Sequence, residues 1–125
     1  MKYLLDTHIL LWAANGDLPK AAKKYFSTEN ELFFSPASIW EIVIKRTLNR
    51  NDFQIDAKLF YEGLLSSGYK ELPITARHTL AVESLPALHK DPFDRILLSQ
   101  AISERMDLLT ADDRLARYPN RVISI

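Results

Sequence analysis

The chain has no cysteine, which excludes disulfide staples and thiolate metal sites together. No stretch reaches the ~18 uninterrupted apolar residues of a membrane span. The N-terminus offers no signal-peptide core either, because Asp6 follows only three apolar residues, Tyr3-Leu4-Leu5. A charge excess of one sign is also missing, since 16 basic and 16 acidic residues give a formal net charge of zero. That balance argues against gripping nucleic acid by bulk positive charge, although it allows local basic patches. With three glycines there is no flexible linker, and neither internal repeats nor low-complexity segments are found. These absences leave a soluble, cytoplasmic protein. Its 125 residues, 47% apolar, suit one domain with one real core.

The apolar runs and breakers alternate as strand and helix. Lys2–Leu5 reads as a short buried strand, and His8–Ala14 as a helix ending near Asn15-Gly16. Pro19 opens a second helix through Phe26, and Leu32–Phe34 is the next strand. Ser35-Pro36 reads as N-cap and first residue of a helix to about Asn49. Asp56 caps a helix through Leu65 that stops at Ser67-Gly68, Tyr69–Ile74 is a third strand, and Thr75–Leu85 a further helix. Asp91-Pro92 repeats the cap grammar and starts a helix through Glu104. Asp107–Thr110 is a strand, Asp112–Arg117 a short helix and Arg121–Ile125 the final strand. Such alternation predicts an α/β fold: three layers, α/β/α, around a mainly parallel sheet of four to five strands. Ligands of such sheets bind beyond the carboxyl ends of the strands.

Four acids lie where those ends converge. Asp6 closes the first strand, Glu41 interrupts Ile39-Trp40-Glu41-Ile42-Val43-Ile44, Asp94 lies in His89-Lys90-Asp91-Pro92-Phe93-Asp94-Arg95, and Asp112 follows Leu108-Leu109-Thr110-Ala111. Acids beside apolar segments are costly unless protonated, paired or bound to a cation. Each also has an ordinary explanation. Asp6 can cap the helix after it. Asp94 can close a capping arrangement with Asp91 and favours the first helical turn through the dipole. Thr110-x-x-Asp113 fits a capping pattern and makes Asp113 the structural acid, leaving Asp112 for a site. Glu41 is the hardest to explain: it sits six positions after Ser35, beyond a capping box, and an exposed ion pair with Lys45 is worth a few tenths of a kcal/mol. The helix around it is apolar on most of its wheel, so it is expected to be largely buried, with Trp12 and Trp40 as core aromatics.

Converging acids with few bases among them suit Mg²⁺ or Mn²⁺. Two basic clusters stand apart from the acids: Lys20, Lys23 and Lys24, and Lys45, Arg46 and Arg50, the latter following Glu41 on the same helix. Lys45, Arg46, Arg95 and His8 are candidate substrate contacts. His8 and His89 are read as rim residues, and His78 as structural.

The order of these pieces resembles the PIN-domain nucleases, in particular the VapC-like toxins of bacterial toxin–antitoxin pairs. The resemblance rests on Leu4-Leu5-Asp6-Thr7-His8-Ile9-Leu10-Leu11-Trp12, Ser35-Pro36-Ala37-Ser38-Ile39-Trp40-Glu41, the His89–Arg95 segment, and Leu108–Asp112. It implies that Asp6, Glu41, Asp94 and Asp112 are catalytic and metal-binding, with Asp6 and Asp94 the strongest ligands, and that Thr110, with Thr7, supports them. It further implies RNA hydrolysis by metal-activated water, a homodimer, and a small antitoxin laid into an apolar groove for which Ile9–Trp12 is the candidate. A non-catalytic RNA-binding domain, a receiver-like regulatory domain and an aspartyl phosphatase are the alternatives. The latter two need a second acid near Asp6, where the chain has Thr7-His8.

Overall fold

The computed structural model describes residues 1–48, 54–118 and 121–125. Its frame is a five-stranded sheet in the order β3-β2-β1-β4-β5, every pairing parallel. The strands are β1 (Lys2–Leu5), β2 (Glu31–Phe34), β3 (Lys70–Glu71), β4 (Asp107–Thr110) and β5 (Val122–Ser124). The helices are α1 (Thr7–Asn15), α2 (Pro36–Thr47), α3 (Ala57–Ser66), α4 (Ala76–Ala81) and α5 (Pro92–Glu104). The expected α/β architecture is present, with five strands.

Alternation along the strands produces the layers. Tyr3, Leu5 and Leu109 pack with Ile9, Leu10, Phe34 and Leu64 under α1 and α3. Leu4 and Leu108, one residue out of step, pack with Leu97, Leu98, Ala101 and Leu115 on the α5 face. Successive strand side chains point to opposite faces, so a parallel sheet buried on both sides reads as an unbroken apolar run. Leu4, Leu5, Leu108 and Leu109 are wholly buried.

Helix starts follow the cap residues. Asp6, Ser35, Asp56 and Asp91 each accept a backbone N–H of the first turn. Thr75 opens α4, and His78 closes a reciprocal cap: Thr75 N–H donates to His78 Nδ1 at 3.0 Å. His78 Nε2 lies 2.7 Å from Glu104 Oε2, tying α4 to α5, a structural role. At the end of α1, Gly16 takes the left-handed conformation, φ 75°, that a helix terminus with its N–H turned back requires.

Several boundaries differ from the sequence expectation. Lys20–Phe26 winds as a 3₁₀ helix, and Pro19 before it provides no side-chain cap. The third strand pairs only over Lys70–Glu71, just before Pro73, which has no N–H for the ladder. The Thr75–Leu85 helix breaks at Ala81 into a 3₁₀ turn, Val82–Ser84, and Leu85, before Pro86, is extended. Only Leu115–Arg117 of the segment after β4 is helical, as a 3₁₀ turn. α2 ends at Thr47, and Asn49 and Arg50 lie outside the described residues.

Two burial expectations are corrected. α2 is not buried all round: Trp40 is 62% and Val43 43% exposed, because the helix packs through Ala37, Ser38 and Ile42. Trp40 instead stands edge-on to Phe93 of α5, with ring centroids 5.6 Å apart. Nor do Ile9 and Leu10 form a groove, since both are wholly buried beneath the sheet. Trp12 is half-buried against the same core. No helix of the described residues is long and apolar enough to cross a membrane.

Replacing Leu98, wholly buried on α5, by Ala is expected to cost about 2–5 kcal/mol in urea unfolding, the cost of a core cavity. A loss below ~1 kcal/mol contradicts the packing described.

Candidate active site

The strand order reverses between β1 and β4, so the loops after these two strands leave opposite ways and open a crevice at their carboxyl ends. Asp6 follows β1, Asp112 follows β4, and α2 brings Glu41 over the same edge. The result is a cleft of about 740 Å³, lined by Asp6, Thr7, His8, Glu41, Lys45, Asp91, Asp94, Asp112, Asp113 and Arg114 among others. All four acids singled out in the sequence therefore reach one cleft.

Asp6 is 4% exposed, and its ordinary explanation is real. Its Oδ1 accepts the Ile9 N–H at 2.9 Å and so caps α1. Oδ2 accepts the Thr110 hydroxyl and, at 3.3 Å, the Ala111 N–H. A carboxylate oxygen has two lone pairs, so Oδ1 keeps one acceptor position after capping. Burial pushes the Asp6 pKa up, against the pull of the hydrogen bonds from Thr110, Ile9 and Ala111 and the charge of His8.

Glu41 is held from two sides. Its Oε1 lies 2.7 Å from Thr7 Oγ1, and its Oε2 3.6 Å from Lys45 Nζ. Thr7 Oγ1 is also 2.9 Å from Ser38 Oγ. Thr7 has a single hydroxyl proton, and a carboxylate can only accept, so Thr7 donates to Glu41 and Ser38 donates to Thr7. The i,i+4 pair with Lys45 thus exists, but it does not account for the buried Thr7–Ser38 link behind the acid.

Asp94 does not cap its own helix. The Asp91 N–H that a capping box would satisfy donates instead to His89 Nδ1 at 3.3 Å, while Asp91 Oδ1 accepts the Phe93 N–H. Asp94 Oδ2 lies 2.7 Å from His89 Nε2. With Nδ1 accepting, the neutral ring carries its proton on Nε2 and donates to Asp94. His89 Nε2 is also 3.4 Å from Asp112 Oδ2. The expectation of a rim position for His89 is therefore corrected: the residue is 3% exposed and sits among the acids. The sequence signal was its place two residues before the Asp91 cap, which lets the loop turn the ring back onto the helix.

The capping role expected of Asp113 is not seen: the Leu115–Arg117 turn has no side-chain cap, and it is Asp112 whose Oδ1 closes the preceding turn by accepting the Arg114 N–H at 2.7 Å. Its own N–H donates to Thr110 Oγ1 at 2.9 Å. Thr110 therefore spans Asp6 and Asp112, donating to one acid and accepting from the backbone of the other. Burial raises the Asp112 pKa, but the Arg114 N–H and guanidinium and His89 outweigh it, and the net shift is downward. Asp94 moves the other way, to about 7, through burial and the nearby charges of Asp91 and Asp112 against the opposing pull of His89.

One nitrogen of His89 and one oxygen each of Asp94 and Asp112 lie within 4.8 Å of one another. With its Nε2 proton given to Asp94, His89 positions the acids, and the two carboxylates supply the oxygens that one cation can bridge. Asp6 and Glu41 line the same cleft without belonging to that group. Carboxylate oxygens are the hard donors that Mg²⁺ and Mn²⁺ prefer, and burial gives them a reason to bind a cation, so the donor set fits.

The basic residues separate into three kinds. Lys45 and His8 line the cleft, His8 edge-on to Trp12 at 4.9 Å. Arg46 pairs with Asp56 at 3.6 Å, away from the cleft. Arg95 is not presented to a substrate: its guanidinium donates to the carbonyls of Val82, Pro86 and His89 and holds the loop that carries His89. Arg114, which the sequence reading passed over, lines the cleft beside Asp112.

Comparison with known proteins places the chain in a family. The PIN-domain family model matches residues 3–121, and the chain belongs to that family. No match is found among curated proteins. VapBC2 from Rickettsia felis, solved bound to a DNA fragment from its promoter, is similar at 19% identity and TM-score 0.74, covering 100% of this chain and 99% of that one. DNA-bound VapBC from Salmonella typhimurium is similar at 13% identity and TM-score 0.71, with 99% and 98% covered. VapBC-1 from nontypeable Haemophilus influenzae is similar at 18% identity and TM-score 0.64, also with 99% and 98% covered. At these identities the likeness concerns the fold. Family membership replaces the receiver-like and aspartyl-phosphatase alternatives.

A divalent cation requires the ionised form of Asp94, whose metal-free pKa is about 7. Cation binding therefore displaces a proton below pH 7. Mn²⁺ affinity measured by titration calorimetry is expected to rise as pH increases from 5.5 toward 7, by up to about tenfold per pH unit, and to level above it. An affinity independent of pH over that window contradicts a role for Asp94 as ligand.

Proposed function

We propose that this PIN-domain protein is a divalent-metal-dependent endoribonuclease acting as the VapC-like toxin of a toxin–antitoxin pair. The observation that carries the reading is the gathering of His89, Asp94 and Asp112 within 4.8 Å, in a cleft that Asp6 and Glu41 also line. When bound, Mg²⁺ or Mn²⁺ activates water and neutralises charge on a phosphodiester.

The chain's own residues prepare that chemistry. Asp94 and Asp112 would hold the cation, and Asp6 would add its charge to the site. His89 fixes the Asp94 carboxyl by hydrogen bonding one oxygen, leaving the other to the cleft. Thr110 fixes Oδ2 of Asp6, whose Oδ1 caps α1 and keeps one acceptor position, and it ties the β4 loop to that acid. Glu41, steadied by Thr7, orients the attacking water and receives its proton. Because water is the nucleophile, no 2′-hydroxyl is consumed, and the products carry 5′-phosphate and 3′-hydroxyl ends.

The partner side of the proposal rests on the structural neighbours, which are VapBC complexes, and on family likeness. We infer a cognate antitoxin, a homodimer of this chain and a cytoplasmic setting. Zero net charge favours recognition of RNA shape or loops through local contacts over bulk attraction.

Asp6→Asn and Asp94→Asn are each expected to abolish Mn²⁺-dependent RNA cleavage, by ~100-fold or more, with the circular dichroism spectrum retained. Full activity in either variant sinks the assignment. End mapping should find 5′-phosphates, and cyclic phosphates contradict the mechanism. Co-expression with the neighbouring small open reading frame should yield a co-purifying complex with no nuclease activity. A free, active toxin contradicts the antitoxin partnership.

A further inference from the structure

The cleft that gathers six carboxylates must still admit a polyanion. Its lining holds Asp6, Glu41, Asp91, Asp94, Asp112 and Asp113 against two full cations, Lys45 and Arg114. The two stand on different elements, Lys45 on α2 and Arg114 after β4. Both are tethered to a site acid: Lys45 Nζ lies 3.6 Å from Glu41 Oε2, Arg114 Nε 3.5 Å from Asp112 Oδ1, and Arg114 Nη2 3.5 Å from Asp112 Oδ2.

The Arg114 tether is loose. Charge-assisted hydrogen bonds close to about 2.7–2.9 Å, and the Arg114 side chain is 63% exposed. The turn does not depend on it, because the Arg114 backbone N–H, at 2.7 Å from Asp112 Oδ1, already fixes the carboxylate. The other paired arginines do not line the cleft: Arg77 lies 2.7 Å from Glu104, Arg46 3.6 Å from Asp56 and Arg121 3.7 Å from Asp107, and Arg95 donates to three carbonyls. Arg114 is the cleft residue whose planar fork can meet two phosphate oxygens at once.

The geometry points to Arg114 as an exchangeable counter-ion: it partners Asp112 in the metal-free protein, yields that carboxylate to the divalent cation, and then binds a backbone phosphate of the RNA. This rests on the nuclease reading above. With a divalent cation held by Asp112, the adjacent guanidinium would be repelled, and the exposed Arg114 side chain would turn outward to the incoming anion. Metal loading thereby switches on the phosphate contact, and the acidic cleft stays closed to RNA until its acids are neutralised.

The test is a pair of titrations on wild type, Arg114→Gln and Arg114→Lys. Mn²⁺ binding without RNA is read by calorimetry. Binding of a fluorescein-labelled RNA hairpin in Ca²⁺ is read by anisotropy over a range of salt, with the RNA checked for integrity on a gel. Arg114→Gln should bind Mn²⁺ more tightly than wild type, because the competing cation is gone. It should bind RNA about tenfold more weakly, with a log K against log [salt] slope shallower by roughly 0.7–1. Arg114→Lys should keep the wild-type slope while losing part of the affinity. Unchanged RNA affinity and slope in Arg114→Gln, or weaker Mn²⁺ binding, overturns the proposal. Failure of the wild type itself to bind RNA removes the nuclease reading and the phosphate role together. The two failures are distinguishable, because only the first leaves wild-type RNA binding intact.

Discussion

The loss of water by carboxylates gathered at one sheet edge, with repulsion from Asp91 and Asp112 added at Asp94, is the constraint on which the rest of this structure depends. Asp6, Asp94 and Asp112 are brought toward one another by the sheet edge, and each loses water in the process. The surrounding polar residues make sense as answers to that cost. Thr110 serves Asp6, Thr7 and Ser38 steady Glu41, His89 donates to Asp94, and Arg114 flanks Asp112. Arg95 acts one step further out, binding the carbonyls of the loop on which His89 rides. A cation would complete an arrangement that hydrogen bonds only partly offset.

The fold explains why these acids meet at all. With β1 central and the chain reversing between β1 and β4, the loops carrying Asp6 and Asp112 are neighbours, although 106 positions separate the residues in sequence. Helix caps then aim the remaining parts. Ser35 sets the start of α2 and hence the phase at which Glu41 faces the cleft. Asp91 sets the start of α5, with Asp94 in its first turn. Thus the same short polar residues that begin helices also fix the register of the site.

Much of this was legible in the sequence, and the misses have physical causes. Strand ends, cap residues and the four acids follow from local patterns, so β1, β4, α2 and α5 fell close to their expected positions. Partnerships across the sheet are invisible locally. Nothing in Thr110-Ala111-Asp112 announces that the threonine hydroxyl crosses to Asp6, or that Asp112 closes the turn at Arg114. His89 was misplaced because a lone histidine two residues before the Asp91 cap has no periodicity to reveal its burial. Arg95 was misjudged and Arg114 passed over for the same reason: a charged side chain beside an acid does not show whether it braces a loop or faces an open cleft. Trp40 was assigned to the core from its apolar neighbours, whereas α2 packs through small residues and leaves that face outward.

The central claim is that the acids are held together for a cation, at a cost to the metal-free fold. Thermal melts of wild type and Asp94→Asn at pH 8, in EDTA and in Mn²⁺, test it most directly. At that pH wild-type Asp94, with its pKa of about 7, is ionised and its repulsion is fully expressed. Asp94→Asn should then melt higher than wild type in EDTA, and Mn²⁺ should raise the wild-type midpoint while leaving the variant nearly unmoved. A variant that melts lower in EDTA and gains as much from Mn²⁺ as wild type would contradict the account.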